Sequence, residues 1–398
     1  MNARNGISFA QEKRYLNTIF FLFGFGIMAW VPRFPELKAN LGLDNGAFGW
    51  ILTTGSIGAF VGLLIVGHIV HKVGVLKVSV TAIILNFGML AAIVHVHTPL
   101  YFAIFNIVLG FSVTSIHISI NTQAFHVQER SGDIVVTSTA GYWSAGALGT
   151  AVLSGLFVGN IGLALHIDAV SIMCGVIMIW IFAKLNPVLV KANTAAETDY
   201  SVRDIFTSFH LDWPVSLGLA TAVYLEFAIG DWGTIFTKER LDIDSGLSSL
   251  PYIFFTIFMI FGRLSIQKII RKHPIESVAR SSALLAGISF AVTVGVAVNL
   301  STDLKWVSYG LFILGFSLAG LGSAMLGPSY TSAANKRSPN PSSVVVGQLG
   351  VANNVLTTSL KWIVAGVIAA TGSIAAALMI PAVLMIVSAS FTHVMKED

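Results

Sequence analysis

Strongly apolar stretches of about twenty residues or more recur along the chain. They fall at about 15–31, 48–70, 78–96, 99–123, 135–158, 162–184, 213–236, 247–267, 278–299, 303–328, 343–368 and 370–393. A helix needs roughly 20 apolar residues to cross the hydrocarbon core of a bilayer. Backbone in lipid has no water to bond, so each stretch must close its own hydrogen bonds, as a helix does. A membrane barrel would instead show segments of about ten residues with alternating polarity. The pattern predicts an all-α membrane protein with twelve transmembrane helices. The first is not expected to be a cleaved signal peptide, because WVPRFPE follows it with no small-residue cleavage site.

Composition narrows the class. Only 11% of the 398 residues are charged, against about 25% in soluble domains. That argues against a cytosolic enzyme, a disordered scaffold and a nucleic-acid binder with a basic face. The formal charge is only +4, so no strong single-sign field steers a charged partner. The one cysteine, Cys174, excludes an intrachain disulfide and a Cys-rich metal site.

Lys and Arg in the loops set the orientation. With twelve spans both termini share a side, and that side carries 16 of the 23 basic residues. The other side carries Arg33, Lys38, Lys238, Arg240 and Lys305, while Arg263 and Lys361 fall within spans. The bias places both termini in the cytoplasm. It also predicts an N-terminal six-helix bundle over 1–184, a cytoplasmic linker over 185–212 containing KANTAAETDYSVRD, and a C-terminal six-helix bundle over 213–398.

The two halves share a local pattern. LKANLGLDNG at 37–46 follows the first span, and TKERLDIDSG at 237–246 follows the seventh. A shift of 200 residues aligns Lys38, Leu41, Asp44 and Gly46 with Lys238, Leu241, Asp244 and Gly246. Asp44 and Asp244 both suit N-caps of the helices that follow. The pattern predicts a duplicated unit with pseudo-symmetric halves, the build of secondary transporters.

With these features the chain resembles the major facilitator superfamily. The loop between spans 2 and 3 reads GHIVHKVG: Gly67, Lys72 and Gly74 match the family's pattern, and His71 stands where its acid is expected. FGRLSIQKIIRK in the second half matches at Gly262 and Arg263, with Gln267 near the acid's place. The resemblance gives Lys72 and Arg263 a gating role. Within the superfamily, WVPRFPELKANLGL at 30–43, NTQAFHVQE at 121–129 and LEFAIGDW at 225–232 resemble the fucose-permease-like branch, a sugar:proton symporter group with uncharacterised bacterial relatives. By that likeness Glu226 matches an acid of span 7, Asn121 matches an Asn of span 4, and His117 takes the place of an Asp. Ala140 stands where a His is often found. The likeness implies a multi-pass protein of the bacterial inner membrane.

Ionisable residues deep in a span cost about 2.5–3.5 kcal/mol on insertion scales and ask for a reason. Glu226 lies about 13 residues into span 7. It reads either as a protonatable carrier or as a static partner for a cation such as Lys361. Asp231, five residues on, is about 140° further round the helix. It is read as proton-coupling, as a ligand for substrate hydroxyls or as a partner for Arg33. Lys361, in span 11, is a counter-ion for either acid, a substrate contact or a snorkelling cation. His117 and Asn121 share a face of span 4, and His117 titrates near neutral pH. Arg33, Tyr330, Asn353 and Asn354 are further candidates to meet a hydroxylated solute, as are the aromatic rings of Trp143 and Trp232. Helix–helix packing is the competing explanation for each polar group, and an interfacial belt for each Trp.

No phosphate-binding loop, GxSxG or HExxH pattern occurs. No enzyme activity, cofactor, metal or nucleic-acid partner is expected. The expected partners are a small-molecule substrate, protons and the lipid bilayer, and the expected state is a monomer. Three readings stand: a proton-coupled transporter of a small polar solute, an exporter of amphipathic compounds or lipids, and a non-transporting membrane sensor. The short tails, about 14 and 5 residues beyond the first and last spans, count against the sensor.

Overall fold

A computed structural model describes residues 7–131, 135–192, 212–243, 246–270, 272–338 and 342–396. These residues are helical almost throughout. Eleven helices, counted among the described residues, are long and apolar enough to cross a membrane. The expected span at 135–158 is present as the helix α7 (Val136–Phe157), but it is not one of the eleven. Gly, Ala, Ser and Thr make up most of it, so its mean hydropathy is low despite a length of 22 residues. The expected linker lies largely outside the described residues, as do Asp244 and Ser245 of the repeat.

The chain divides into two compact units, one of residues 1–30 and 54–208, the other of 31–53 and 209–398. The first contains α1 (Phe9–Met28), α4 (Gly55–Val73), α5 (Val75–Ile93), α6 (Pro99–Ser131), α7 and α8 (Leu163–Leu185). Ser8 and Gln11 cap α1 reciprocally in a capping box. Small residues let these helices approach closely. A Cβ on Gly146 would lie 2.0 Å from the carbonyl oxygen of Phe21, and one on Gly58 would lie 1.8 Å from that of Ile107. This explains why α7 is poor in large apolar side chains: it packs broadly on α1 and meets it through glycine and alanine. Ser154 Oγ also donates to Ala29 O at 2.9 Å.

The second unit contains the short helices α2 (Phe34–Asn40) and α3 (Asn45–Leu52) together with the later helices. These are α9 (Trp213–Leu241), α10 (Leu250–Ile270), α11 (Ile275–Asn299), α12 (Lys305–Ser323), α13 (Leu326–Arg337), α14 (Ser342–Thr371) and α15 (Ile374–Phe391). Asp44 caps α3, accepting from Ala47 N at 2.7 Å as expected. Asp212 caps α9, and Asp242 ends it in the left-handed conformation with φ 48°. The chain between 31 and 53 is held to this unit by α14 and α9. Phe48 meets Trp232 edge to face, and Gly46 lies against Ala369.

Candidate functional site

The acids of span 7 have separate partners in the second unit. Asp231 forms an ion pair with Lys361 of α14, Nζ to Oδ2 2.7 Å, and each side chain is 19% exposed. Lys361 also stands 5.5 Å from the centre of the Phe227 ring. Glu226 faces α10, where the Arg263 guanidinium approaches to 3.8 Å. Both of those side chains are about one-third exposed, and the separation exceeds a hydrogen bond. Arg263 Nε donates to Ala324 O at 3.3 Å as well. Tyr252 is buried within electrostatic reach of both carboxylates.

This pattern follows from helix geometry. Five residues turn α9 by about 140°, so its two acids address different neighbours. Lys361 pairs with Asp231, which leaves Glu226 to Arg263. Two carboxylates and two cations sum to no net charge, the condition for holding ions in a low-dielectric region. The short contact is a close ion pair; the long one is a weak, part-exposed attraction.

The remaining expected residues are distributed as follows. Arg33 is fully buried, with its guanidinium forked onto Glu36 through Nε and through a 3.1 Å bond from Nη2. Asp231 therefore meets Lys361 rather than Arg33, and Arg33 has no exposed surface through which to contact a solute. Tyr330 is likewise fully buried, and its hydroxyl donates to Ser388 O at 2.7 Å. Its ring fills the space left by Gly218. Trp232 is 4% exposed, packed on Phe48 and Gly49. All three are buried, since rings and guanidinium stems bury large areas once their polar tips find partners.

Asn353 and Asn354 lie part-buried on α14, and the Asn353 side-chain oxygen is buried without a hydrogen bond. In the first unit, Asn121 turns its amide back to His117 O at 2.8 Å. His117 is exposed, and Trp143 is part-buried with its backbone against Gly24. Lys72 is exposed; the neighbouring His71 lines a cavity of about 460 Å³ with Thr122 and Lys191.

Two further clusters escaped the sequence reading. Glu12, 3% exposed, accepts from Arg130 at 2.6 Å and from Gln123 at 3.0 Å. Gln123 also bonds Val188 O and Val190 N, tying residues 188–190 to α6. In the second unit Glu239 accepts from Lys38 and, at 2.7 Å, from Asn45. The charge of each acid was visible, but its partner is about 118 or 201 residues away in sequence.

The profile of the Major Facilitator Superfamily matches residues 16–360. The chain belongs to that superfamily. It is a multi-pass membrane transporter of this family, as the expected resemblance implied. An uncharacterized MFS-type transporter of Yersinia pestis is 26% identical over 333 residues, covering 83% of this chain and 82% of the relative. The membrane protein MosC of Rhizobium meliloti is 24% identical over 319 residues, covering 79% and 73%. The fold is similar to that of the nucleoside transporter NupG, with TM-score 0.76 and 16% identity over 97% of this chain and all of that one. A D-xylose-proton symporter aligns with TM-score 0.73 and 14% identity, covering 97% of each chain. The Escherichia coli fucose:proton symporter FucP aligns with TM-score 0.67 and 14% identity, covering 98% of this chain and all of that one.

Proposed function

We propose that this superfamily member is a secondary active transporter that moves a small polar solute, a sugar or related hydroxylated compound, across the bacterial inner membrane in exchange for the free energy of a proton gradient. Glu226 is the proton carrier. The observation that supports this reading is the loose Glu226–Arg263 pair inside a spanning segment, long at 3.8 Å and one-third exposed. A carboxylate so weakly held is released from its cation at little cost. Protonated, it frees Arg263; ionised, it recaptures it. Asp231, locked to Lys361, positions α14 against α9 and presents Asn353 and Asn354 as solute contacts. Arg263 thus serves the coupling acid in addition to any gating role, which it shares with Lys72.

Twelve spans arranged as two pseudo-symmetric six-helix halves, with both termini cytoplasmic, complete the reading. The halves alternate access of the solute to the two sides of the membrane, and Lys38, Asn45 and Glu239 hold the chain from 31 to 53 within the second unit. The same chemistry suits sugars and nucleosides, the substrates named for the three structural relatives.

Reconstitution in proteoliposomes tests the carrier. Glu226→Gln is expected to abolish uptake driven by a pH gradient and to leave counterflow exchange largely intact. Accumulation against a gradient at the normal rate in that variant would refute the assignment. A panel of sugars, nucleosides and amphipathic cations in the same assay separates solute uptake from export of amphipathic compounds.

A further inference from the structure

In the second unit α10 and α11 both pack broadly on α12 yet scarcely touch each other. The gap between them is a groove of about 510 Å³. Its floor is Leu321 and Gly322 of α12. A side chain at Gly322 would strike Ser282 O at 2.5 Å, so glycine lets α11 settle on α12. The walls are apolar: Phe261 and Ile269 on α10, and Leu285 on α11, are 58%, 44% and 41% exposed. Leu264 and Val292 on the outer faces of the same helices are 76% and 56% exposed. Apolar side chains exposed on spanning helices face acyl chains, so the groove opens to lipid.

The end of the groove at the start of α11 is polar, lined by His273, Ser277 and Ser281, and exposed basic side chains stand beside it in the chain. Ser277, Ser281 and Leu285 are spaced four apart and form one stripe of α11. All three line the groove. Arg280, three residues from Ser277, flanks that stripe, and Lys272 and His273 precede the helix; all three side chains are exposed. Glu276, part-buried in the first turn, is the one acid there. Pro274 at the N-cap makes no side-chain capping bond, so the first backbone N–H groups of α11 stay open to an anion. From Ile275 to Leu285 the helix rises about 15 Å, enough to run beside a length of acyl chain.

We propose that this groove is a binding site for an anionic phospholipid: one acyl chain lies between α10 and α11 over Leu321, and the phosphate sits among Lys272, Arg280 and the start of α11. Charge complementarity selects the headgroup, and the serine hydroxyls along the wall suit the ester oxygens between phosphate and tail.

Native mass spectrometry of the full chain in maltoside detergent tests this with graded mixtures of phosphatidylglycerol and phosphatidylcholine. The first bound lipid is expected to favour phosphatidylglycerol at least tenfold. Lys272→Gln with Arg280→Gln is expected to erase most of that preference while leaving phosphatidylcholine binding unchanged. Ser281→Phe, which fills the groove, is expected to reduce binding of both lipids at least fivefold. Unchanged preference in the double variant, or unchanged binding in Ser281→Phe, overturns the proposal, and either result alone decides. Displacement of phosphatidylglycerol by millimolar glycerol 1-phosphate would also overturn it, since the site would then read a soluble phosphate rather than a lipid.

Discussion

Two double-mutant cycles measure how firmly each acid of α9 is held. The first replaces Asp231 by Asn, Lys361 by Gln, and both; the second replaces Glu226 by Gln, Arg263 by Gln, and both. Removing one member of a fully buried pair costs about 3–5 kcal/mol, because the other charge is left alone. Exposed pairs are worth about 0–1 kcal/mol. Asp231 and Lys361 are 2.7 Å apart and 19% exposed, which places each single change at about 2–3 kcal/mol. The double variant removes both charges, so the coupling should reach about 2 kcal/mol. Glu226 and Arg263 are 3.8 Å apart and about one-third exposed, so their coupling should stay below about 1 kcal/mol. Thermal midpoints of the detergent-solubilised protein, followed by tryptophan fluorescence, provide the assay. For a unit of about 200 residues, 1 kcal/mol moves the midpoint by roughly 2–4 °C. Asp231→Asn should then lower it by roughly 4–12 °C, and Glu226→Gln by less than about 4 °C. Equal coupling in the two cycles would refute the argument that distance and exposure make Glu226 the releasable acid.

Other perturbations read other parts of the fold. Glu12→Gln removes the buried negative charge that pairs with Arg130 and should cost about 2–4 kcal/mol; hydrogen exchange at the amides of Val75 and Val190 should rise with it, and unchanged protection would show that the buried charge does not anchor residues 188–190. Glu239→Gln should raise thiol labelling of an added Leu37→Cys about two- to fivefold, as loss of about 0.5–1 kcal/mol predicts. The background is low because the single native cysteine is buried. Tyr330→Phe should lower stability by about 1 kcal/mol through the lost bond to Ser388 and leave transport unchanged; a loss of substrate affinity would instead make Tyr330 a solute contact. Gly146→Leu should prevent α7 from seating on α1 and destabilise the protein by several kcal/mol, read as lost expression of folded protein.

Much of the architecture was legible because lipid imposes a simple rule on sequence. Every expected span is helical, but 48–70 is divided between α3 and α4 and 303–328 between α12 and α13; Asp44 caps α3 where the pattern put a cap. The rule fails for α7, whose glycines and hydroxyls reflect contact with α1 rather than with lipid; hydropathy cannot distinguish a poor span from a closely packed one. Within the site, the ionisable residues could be named, but their pairing could not. The loop pattern of the family marked Arg263 as a gate, and only the three-dimensional course of α9 and α10 brings its guanidinium to Glu226. Arg33 and Tyr330 show the opposite limit. Their polarity suggested exposure, yet local partners at Glu36 and Ser388 satisfy it and permit burial.

The chain from 31 to 53 packs with the second unit although it is bracketed in sequence by helices of the first. Helical pairing is interrupted at 29–30 and again at 53–54, so this insert is joined to its flanks by two short articulations. A polypeptide beginning after the linker would consequently be an incomplete C-terminal body, with the faces around Trp232, Ala365 and Ala369 stripped of α3. Separately expressed halves should therefore be soluble in detergent only when co-produced, because the first fragment carries a piece of the second one's interior.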